Sequence, residues 1–147
     1  MPVIQWDERF SVGLPQIDEH HRHLFMLLNK AFNAFGSPTA NNDLTLLLDE
    51  LIDYAIYHFF FEEQAMQDSN YPLLGQHRQE HDLFTSRVVV MHEEHHTGKR
   101  PLTLDVLSFL NSWLTNHILD TDGQFGRFMA AKKATKPIRP GAEQTKK

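Results

Sequence analysis

The chain has 147 residues and a formal charge of −5, with 41% hydrophobic and 22% charged residues. That composition is typical of one globular domain, large enough to bury about two-thirds of its unfolded surface. Because the chain has no cysteine, disulfides, thiolate zinc sites and thiol catalysis are excluded. We see no secretory signal and no apolar run near the ~20 residues that cross a bilayer, so we expect a cytoplasmic protein without membrane insertion.

The charge is divided unevenly along the chain. Residues 132–147 hold six basic residues and one acidic residue, a net charge of +5, so residues 1–131 carry −10. An acidic body is a poor binder of nucleic acid. The basic segment lacks apolar periodicity and is predicted to be a disordered tail. We therefore predict one domain over residues 1–131, followed by a tail over residues 132–147.

Turn and capping residues divide residues 1–131 into four helical segments. "GLPQID" opens the first, "TANND" the second and "YP" the third, while the fourth begins near Leu102 or Thr103 and weakens at Gly123 and Gly126. Within each segment, apolar residues recur at steps of three and four. Short loops make neighbouring helices antiparallel. The sequence predicts an all-α, up-down-up-down four-helix bundle with an extended N-terminal arm.

Polar donors interrupt the apolar stripe of every predicted helix. The interruptions are His21 in the first helix, His58 and Glu62 in the second, His77 and His81 in the third, and His117 in the fourth. A lone histidine of this kind is more often a hydrogen-bonded core residue than a metal ligand. These donors, however, lie early in the first and third helices and late in the second and fourth. An antiparallel bundle brings them to one end, where they predict a metal site.

Five histidines are too many for one zinc ion, which is usually four-coordinate. Imidazole and carboxylate together suit iron, manganese, copper or zinc. Two octahedral ions have twelve positions between them, of which five histidines, two bridging carboxylates and one bridging solvent oxygen would fill eleven. The remaining vacancy, inside an apolar wall, would favour a small neutral ligand.

Five motifs carry a resemblance to a known family. They are "WDERFSVG", "IDEHHRHLF" at 17–25, "HFFFEEQAM" at 58–66, "HRQEHDLF" at 77–84 and "WLTNHILDTD" at 113–122. In order and spacing, over about residues 4–125, the chain resembles the single-domain bacterial hemerythrins (bacteriohemerythrins). The resemblance implies two iron ions bridged by oxo or hydroxo, with O₂ as the ligand. The implied ligands are His77, His81 and His117 on one iron, His21 and His58 on the other, and Glu62 and Asp122 bridging both.

Two features of this assignment need a structural explanation. The family usually has glutamine before its first ligand histidine, whereas His20 stands there; the apolar stripe favours His21, and we expect His20 to be a surface residue or an outer partner. Asp122 lies five residues after His117, so a regular helix would separate the two by about 140° and would bring Asp120 nearer. We predict a π-type distortion before Gly123 that brings Asp122 back to the histidine's face.

Four apolar residues are candidates for the wall of an O₂ pocket: Leu24, Phe59, Trp113 and Leu119. Ordinary core packing explains each of them equally well when it is taken alone. As a wall they would keep water and protons away from the centre.

Other metal chemistries fit the sequence less well. "HEEHH" at 92–96 matches the zinc-protease pattern H-E-x-x-H, but it has no third ligand and lies about 20 Å along the helix from His81. Ferritin-like sites use Glu-x-x-His pairs on two helices. The only such pair here, Glu93 to His96, is outside the inward stripe.

The sequence thus predicts an oxygen-binding protein, not an enzyme, that serves transport, storage or delivery of O₂ to an oxygen-consuming enzyme. A di-iron oxidoreductase acting on O₂, peroxide or nitric oxide is the alternative. A metal-free structural bundle is a third reading, and a sensory role is less favoured because no signalling domain is visible.

Overall fold

The computed structural model describes residues 5–34, 40–96 and 104–135, and this part of the chain contains helices and loops but no strand. The helices are a short 3₁₀ helix Glu8–Phe10, α1 Pro15–Ala34, α2 Ala40–Asp68, α3 Leu74–His96, α4 Leu104–Asn116, a π-helical segment His117–Asp122, and α5 Gly123–Thr135. The predicted all-α bundle is confirmed. None of the helices in the described ranges is both long and apolar enough to span a membrane.

Side-chain contacts show that neighbouring helices are antiparallel. Early in α3, Arg78 contacts Glu63 late in α2, and His92 late in α3 contacts Asp49 early in α2. The α3–α4 pair is also antiparallel, since Glu80 meets His117 and Arg87 lies over the ring of Phe109. α1 packs against both α2 and α4 and closes the bundle.

Two apolar clusters fill the bundle, and the buried polar residues lie between them. The larger cluster includes Leu24 and Phe59, and the smaller one includes Ile17, Met66 and Phe125. On α1, for example, His21 lies between Ile17 of one cluster and Leu24 of the other. The polar residues are therefore enclosed along the bundle axis from both sides.

The fourth helical rod of the bundle, which consists of α4, the π segment and α5, is longer than the sequence predicted. α4, the π segment and α5 follow one another without a break, and Gly123 keeps helical backbone angles. The expectation that the helix weakens at Gly123 and Gly126 is wrong. Gly126 instead allows a close approach, because a Cβ there would collide with the backbone of Val12 in the N-terminal arm.

The helix also passes the predicted start of the tail. Lys132 lies within α5, and its Nζ donates to the carbonyl of Ser69. The boundary between residues 131 and 132 therefore falls inside a helix, while residues 136–147 lie outside the described residues.

The N-terminal arm is fixed to the bundle by a buried carboxylate. Asp18, in the first turn of α1, accepts hydrogen bonds from Val12 N at 2.8 Å and from Ser11 Oγ at 2.6 Å. The arm then packs Phe10 on Phe25 and Ile118, next to the polar residues of the core.

Candidate metal centre

All seven residues predicted to hold metal come together in the bundle, and each is at most 4% exposed. They form two groups whose ligand atoms lie within 4.8 Å of one another. One group contains His77, His81 and His117, and the other contains His21 and His58. Glu62 and Asp122 belong to both groups. The division is the one that the resemblance implied.

The π segment explains how Asp122 reaches the cluster. Gly123 N donates to the carbonyl of Ile118, five residues earlier, which is the π-helical pattern. Residues five apart then lie about one turn apart on the same face, so Asp122 follows His117 into the core while Asp120 is exposed. The distortion predicted before Gly123 is confirmed.

Each carboxylate turns one oxygen towards each histidine group. Glu62 Oε1 lies 2.9 Å from His77 Nε2 and 3.2 Å from His81 Nε2, whereas Glu62 Oε2 lies 3.5 Å from His58 Nε2. Asp122 Oδ1 lies 2.9 Å from His77 Nε2 and 3.1 Å from His117 Nε2, whereas Oδ2 lies 3.0 Å from His21 Nε2. The two carboxylates are thus arranged to bridge two cations.

Three of the carboxylate oxygens in these contacts lack a well-aligned hydrogen-bond donor. Glu62 Oε2 and both carboxylate oxygens of Asp122 are fully buried, yet no hydrogen bond reaches them. His81 Nε2 and His117 Nε2 also lie 3.0 Å apart, one imidazole nitrogen facing another. Buried oxygens without partners are costly unless a cation satisfies them. Donor atoms that point at common centres instead of at each other fit a pair of metal ions.

Carboxylates behind the three-histidine group set the direction of its imidazoles. Glu63 accepts from His81 Nδ1 at 2.8 Å, and Glu80 accepts from His117 Nδ1 at 2.8 Å and from Thr121 Oγ1. With the Nδ1 proton held in this way, each ring can present an Nε2 lone pair to a cation in the cluster. Glu63 and Glu80 were not predicted from the sequence. Each adjoins a predicted ligand in sequence, so it is turned about 100° away, towards the neighbouring helix.

His20 contacts the two-histidine group from outside. Its Nδ1 lies 2.9 Å from His58 Nδ1, and its side chain is 8% exposed. His20 is therefore an outer partner and not a surface residue. Burial, together with repulsion from His58, lowers the pKa of His20 to about 4, which keeps this ring neutral.

The charges inside the metal-free cluster balance one another. Burial works to lower the pKa of His77, but the carboxylates of Asp122 and Glu62 outweigh it and raise that pKa to about 9. In the same way, Asp122 and Glu80 overcome burial and raise the pKa of His117 to about 10. Burial would raise the pKa of the Asp122 carboxyl, but His117 and the other imidazoles hold it well below its usual value.

Two of the four predicted wall residues stack on imidazoles of the cluster, and the role of Leu24 in the wall stays a prediction. The ring of Phe59 stacks on His81 at 3.9 Å, and that of Trp113 stacks on His117 at 4.4 Å. Leu24 is 1% exposed in the larger apolar cluster. The prediction for Leu119 is wrong, because its side chain is 43% exposed. Two residues past His117, the π segment has turned by a little less than half a turn, which directs Leu119 away from the cluster.

The second histidine-rich segment of α3 contacts α2 and lies outside the central cluster. His92 is half-buried and contacts Asp49 on α2, and His95 lies 2.7 Å from the hydroxyl of Thr45. Within the described residues, both groups able to hold a metal belong to the central cluster, and neither includes His92 or His95.

Fold and site together define a helical bundle protein with a buried cluster of five histidines and two carboxylates that could hold metal ions. A family model described as "Hemerythrin HHE cation binding domain" matches residues 12–128. The chain belongs to this hemerythrin family.

Relatives and solved structures agree with that assignment. The chain is 30% identical to a bacteriohemerythrin of Stenotrophomonas maltophilia, over 83% of this chain and 78% of the relative. It is 29% identical to a bacteriohemerythrin of Methylococcus capsulatus, over 89% of this chain and the whole relative. A crystal structure of wild-type hemerythrin superposes with a TM-score of 0.82 at 28% identity and covers 86% of this chain and 97% of its own.

Proposed function

We propose that this protein binds O₂ reversibly at a non-haem di-iron centre, for oxygen transport, storage or delivery to an oxygen-consuming enzyme. The observation that carries the proposal is the unequal division of the cluster. Two carboxylates are shared between three histidines on one side and two on the other. Iron fits this mixture of imidazole and carboxylate donors, and membership of the hemerythrin family favours iron over the other metals.

The chain's own residues would hold the two ions in place and limit the access of water to them. His77, His81 and His117 would hold one ion, His21 and His58 the other, with Glu62 and Asp122 between them. When bound, the iron pair supplies the electrons that bind O₂ and that return when O₂ leaves. The two-histidine side has fewer protein ligands and so leaves room for a small ligand. Phe59 and Trp113 cover the other side and limit access of water.

The test compares metal content and visible spectra. Anaerobically reduced protein should contain two irons per chain, gain a visible band on exposure to O₂, and lose that band when O₂ is removed. Steady consumption of reductant in the presence of O₂ would favour the oxidoreductase alternative, and a failure to take up iron would favour a structural bundle.

Two aspartates of the π segment offer a matched pair of variants. Asp122→Asn should lose the second iron and the O₂-dependent band, because a neutral amide cannot bridge two cations as a carboxylate does. Asp120→Asn changes an exposed side chain in the same segment and should leave both unchanged. Equal behaviour of the two variants would contradict the assignment of Asp122.

A further inference from the structure

The outer partners of the cluster differ in charge between its two sides. Behind the three-histidine group, Glu63 and Glu80 are carboxylates that accept from His81 and His117. Behind the two-histidine group, the corresponding partner of His58 is His20. His20 directly precedes His21 in the sequence, so one turn of α1 carries both a donor of the cluster and the outer partner of His58.

The geometry fixes which nitrogen of each ring carries a proton. His58 Nε2 faces the cluster, 3.1 Å from His21 Nε2 and 3.5 Å from Glu62 Oε2. To bind a cation there, Nε2 must present a lone pair, so His58 carries its proton on Nδ1. At 2.9 Å from His20 Nδ1, that proton can only be donated to a lone pair on His20. His20 is then the neutral tautomer with its proton on Nε2.

His20 is held in the orientation that this hydrogen bond requires. Its ring is 8% exposed and packs on Phe61 at 4.7 Å, Tyr57 at 5.4 Å and Tyr54 at 5.8 Å between ring centroids. Three aromatic neighbours restrict the rotation of the ring, and the ring in turn restricts His58. A constrained acceptor of this kind prepares a metal ligand before the metal arrives.

We propose that His20 is a positioning residue that fixes the tautomer and orientation of His58 through a neutral hydrogen bond, and thereby sets the affinity of the two-histidine position for its cation. This inference rests on the proposed function for the site, but it concerns cation binding and does not depend on O₂. The two metal positions thus have outer partners of different charge. Carboxylates raise the basicity of the ligands on one side, and a neutral imidazole leaves His58 a weaker donor on the other.

The experiment is an anaerobic titration of the full chain with Co²⁺, followed by its visible absorption. Co²⁺ reports both positions without O₂ chemistry. His20→Leu removes the acceptor and should weaken one of the two Co²⁺ ions by about 10- to 100-fold, while the other binds as before. His20→Gln restores an acceptor and should recover most of that affinity.

A control and two contrary outcomes complete the test. His23→Leu alters a histidine on the same helix whose ring packs on Tyr54 at 4.2 Å, and it should leave both affinities unchanged. If His20→Leu binds both ions as tightly as the unaltered chain, the proposal is overturned. If Leu and Gln at position 20 weaken binding equally while the fold persists by circular dichroism, the ring contributes packing only and the hydrogen-bond role is excluded. Loss of O₂ binding with these Co²⁺ results intact would count against the proposed function alone.

Discussion

The two histidine clusters of α3 have similar composition but different surroundings. His77 and His81, one turn apart, are each 1% exposed and meet Glu62 of α2 and the donors of the π segment. Further along the same helix, His92 and His95 are half-buried and contact Asp49 and Thr45 of α2. Histidine spacing on one helix is therefore a weak indicator of a metal site. Convergence with inward donors from the other helices is what distinguishes the first cluster.

The largest effect on cation binding should appear when one histidine of each cluster is replaced and the two variants are compared. His81→Ala removes a donor from the buried centre and should weaken cation binding by more than about 100-fold, beyond what loss of an outer partner costs. His92→Ala, on the same helix, should leave the metal content unchanged. Iron analysis after anaerobic loading measures both. Retention of both irons by His81→Ala would refute the assignment of the cluster.

The two histidine clusters should also differ in the protons that they release when a cation binds. In the metal-free protein, His77 and His117 have pKa values of about 9 and about 10, so both are protonated at pH 7. Cation binding should release about two protons per chain at this pH. Calorimetric titration in buffers of different ionisation enthalpy measures that number. His92→Ala should release the same number, and a release of no protons would contradict the charges assigned to the centre.

The same pKa shifts give the metal-free protein a defined stability profile. Because the folded pKa values of His77 and His117 lie above the unfolded value of about 6.5, their contribution is fully present below that pH. It is lost as the pH rises through about 9 to 10. Asp122 has a lowered pKa, so its contribution is lost in acid. Thermal unfolding of the metal-free chain should therefore show a Tm that declines from about pH 6.5 towards pH 10, and a flat profile would refute this.

The smallest effects on the centre are expected from replacing two apolar residues of the fourth helical rod, and the two variants should differ in stability and in the decay of the colour. Trp113→Ser removes a partly buried ring stacked on His117 and should lower the free energy of unfolding by about 2 kcal/mol, less than for a fully buried aromatic residue. It should also admit water, so the colour gained by the reduced protein in air should decay several-fold faster. Leu119→Ser should change stability by less than about 0.5 kcal/mol and leave the decay rate unchanged, since Leu119 is 43% exposed. Denaturant unfolding and timed visible spectra test both, and equal decay rates would remove Trp113 from the wall.

Much of the centre could be predicted because its donors interrupt regular patterns. An apolar period of 3.6 residues identifies the inward face of each helix, and His21, His58, Glu62 and His117 stand out on those faces. Asp122 does not follow the period. Its place was predicted from resemblance together with a π-type distortion, and the π segment His117–Asp122 is present.

Four residues were mispredicted or missed, and for three of them the surroundings belong to a distant part of the chain. Glu63 and Glu80 are turned away from the inward stripe and look like solvated charges in sequence, yet each faces a ligand histidine across a helix pair. Leu119 was assigned to the wall because it is close to His117 in sequence, but its side chain points outward and is 43% exposed. Gly126 suggested a weak point in the helix. Its role in the close approach to Val12 was not predicted, because Val12 lies more than a hundred residues away in sequence.

By itself, the sequence determined the number of rods, their inward faces and the donor types that those faces carry, because helical periodicity is a local property of the chain. Only the tertiary structure decided which carboxylates stand behind the histidines of the cluster, and that His20 is the partner of His58. Those roles depend on the rotation and height of one helix against another, and these are set by side-chain packing between segments far apart in sequence.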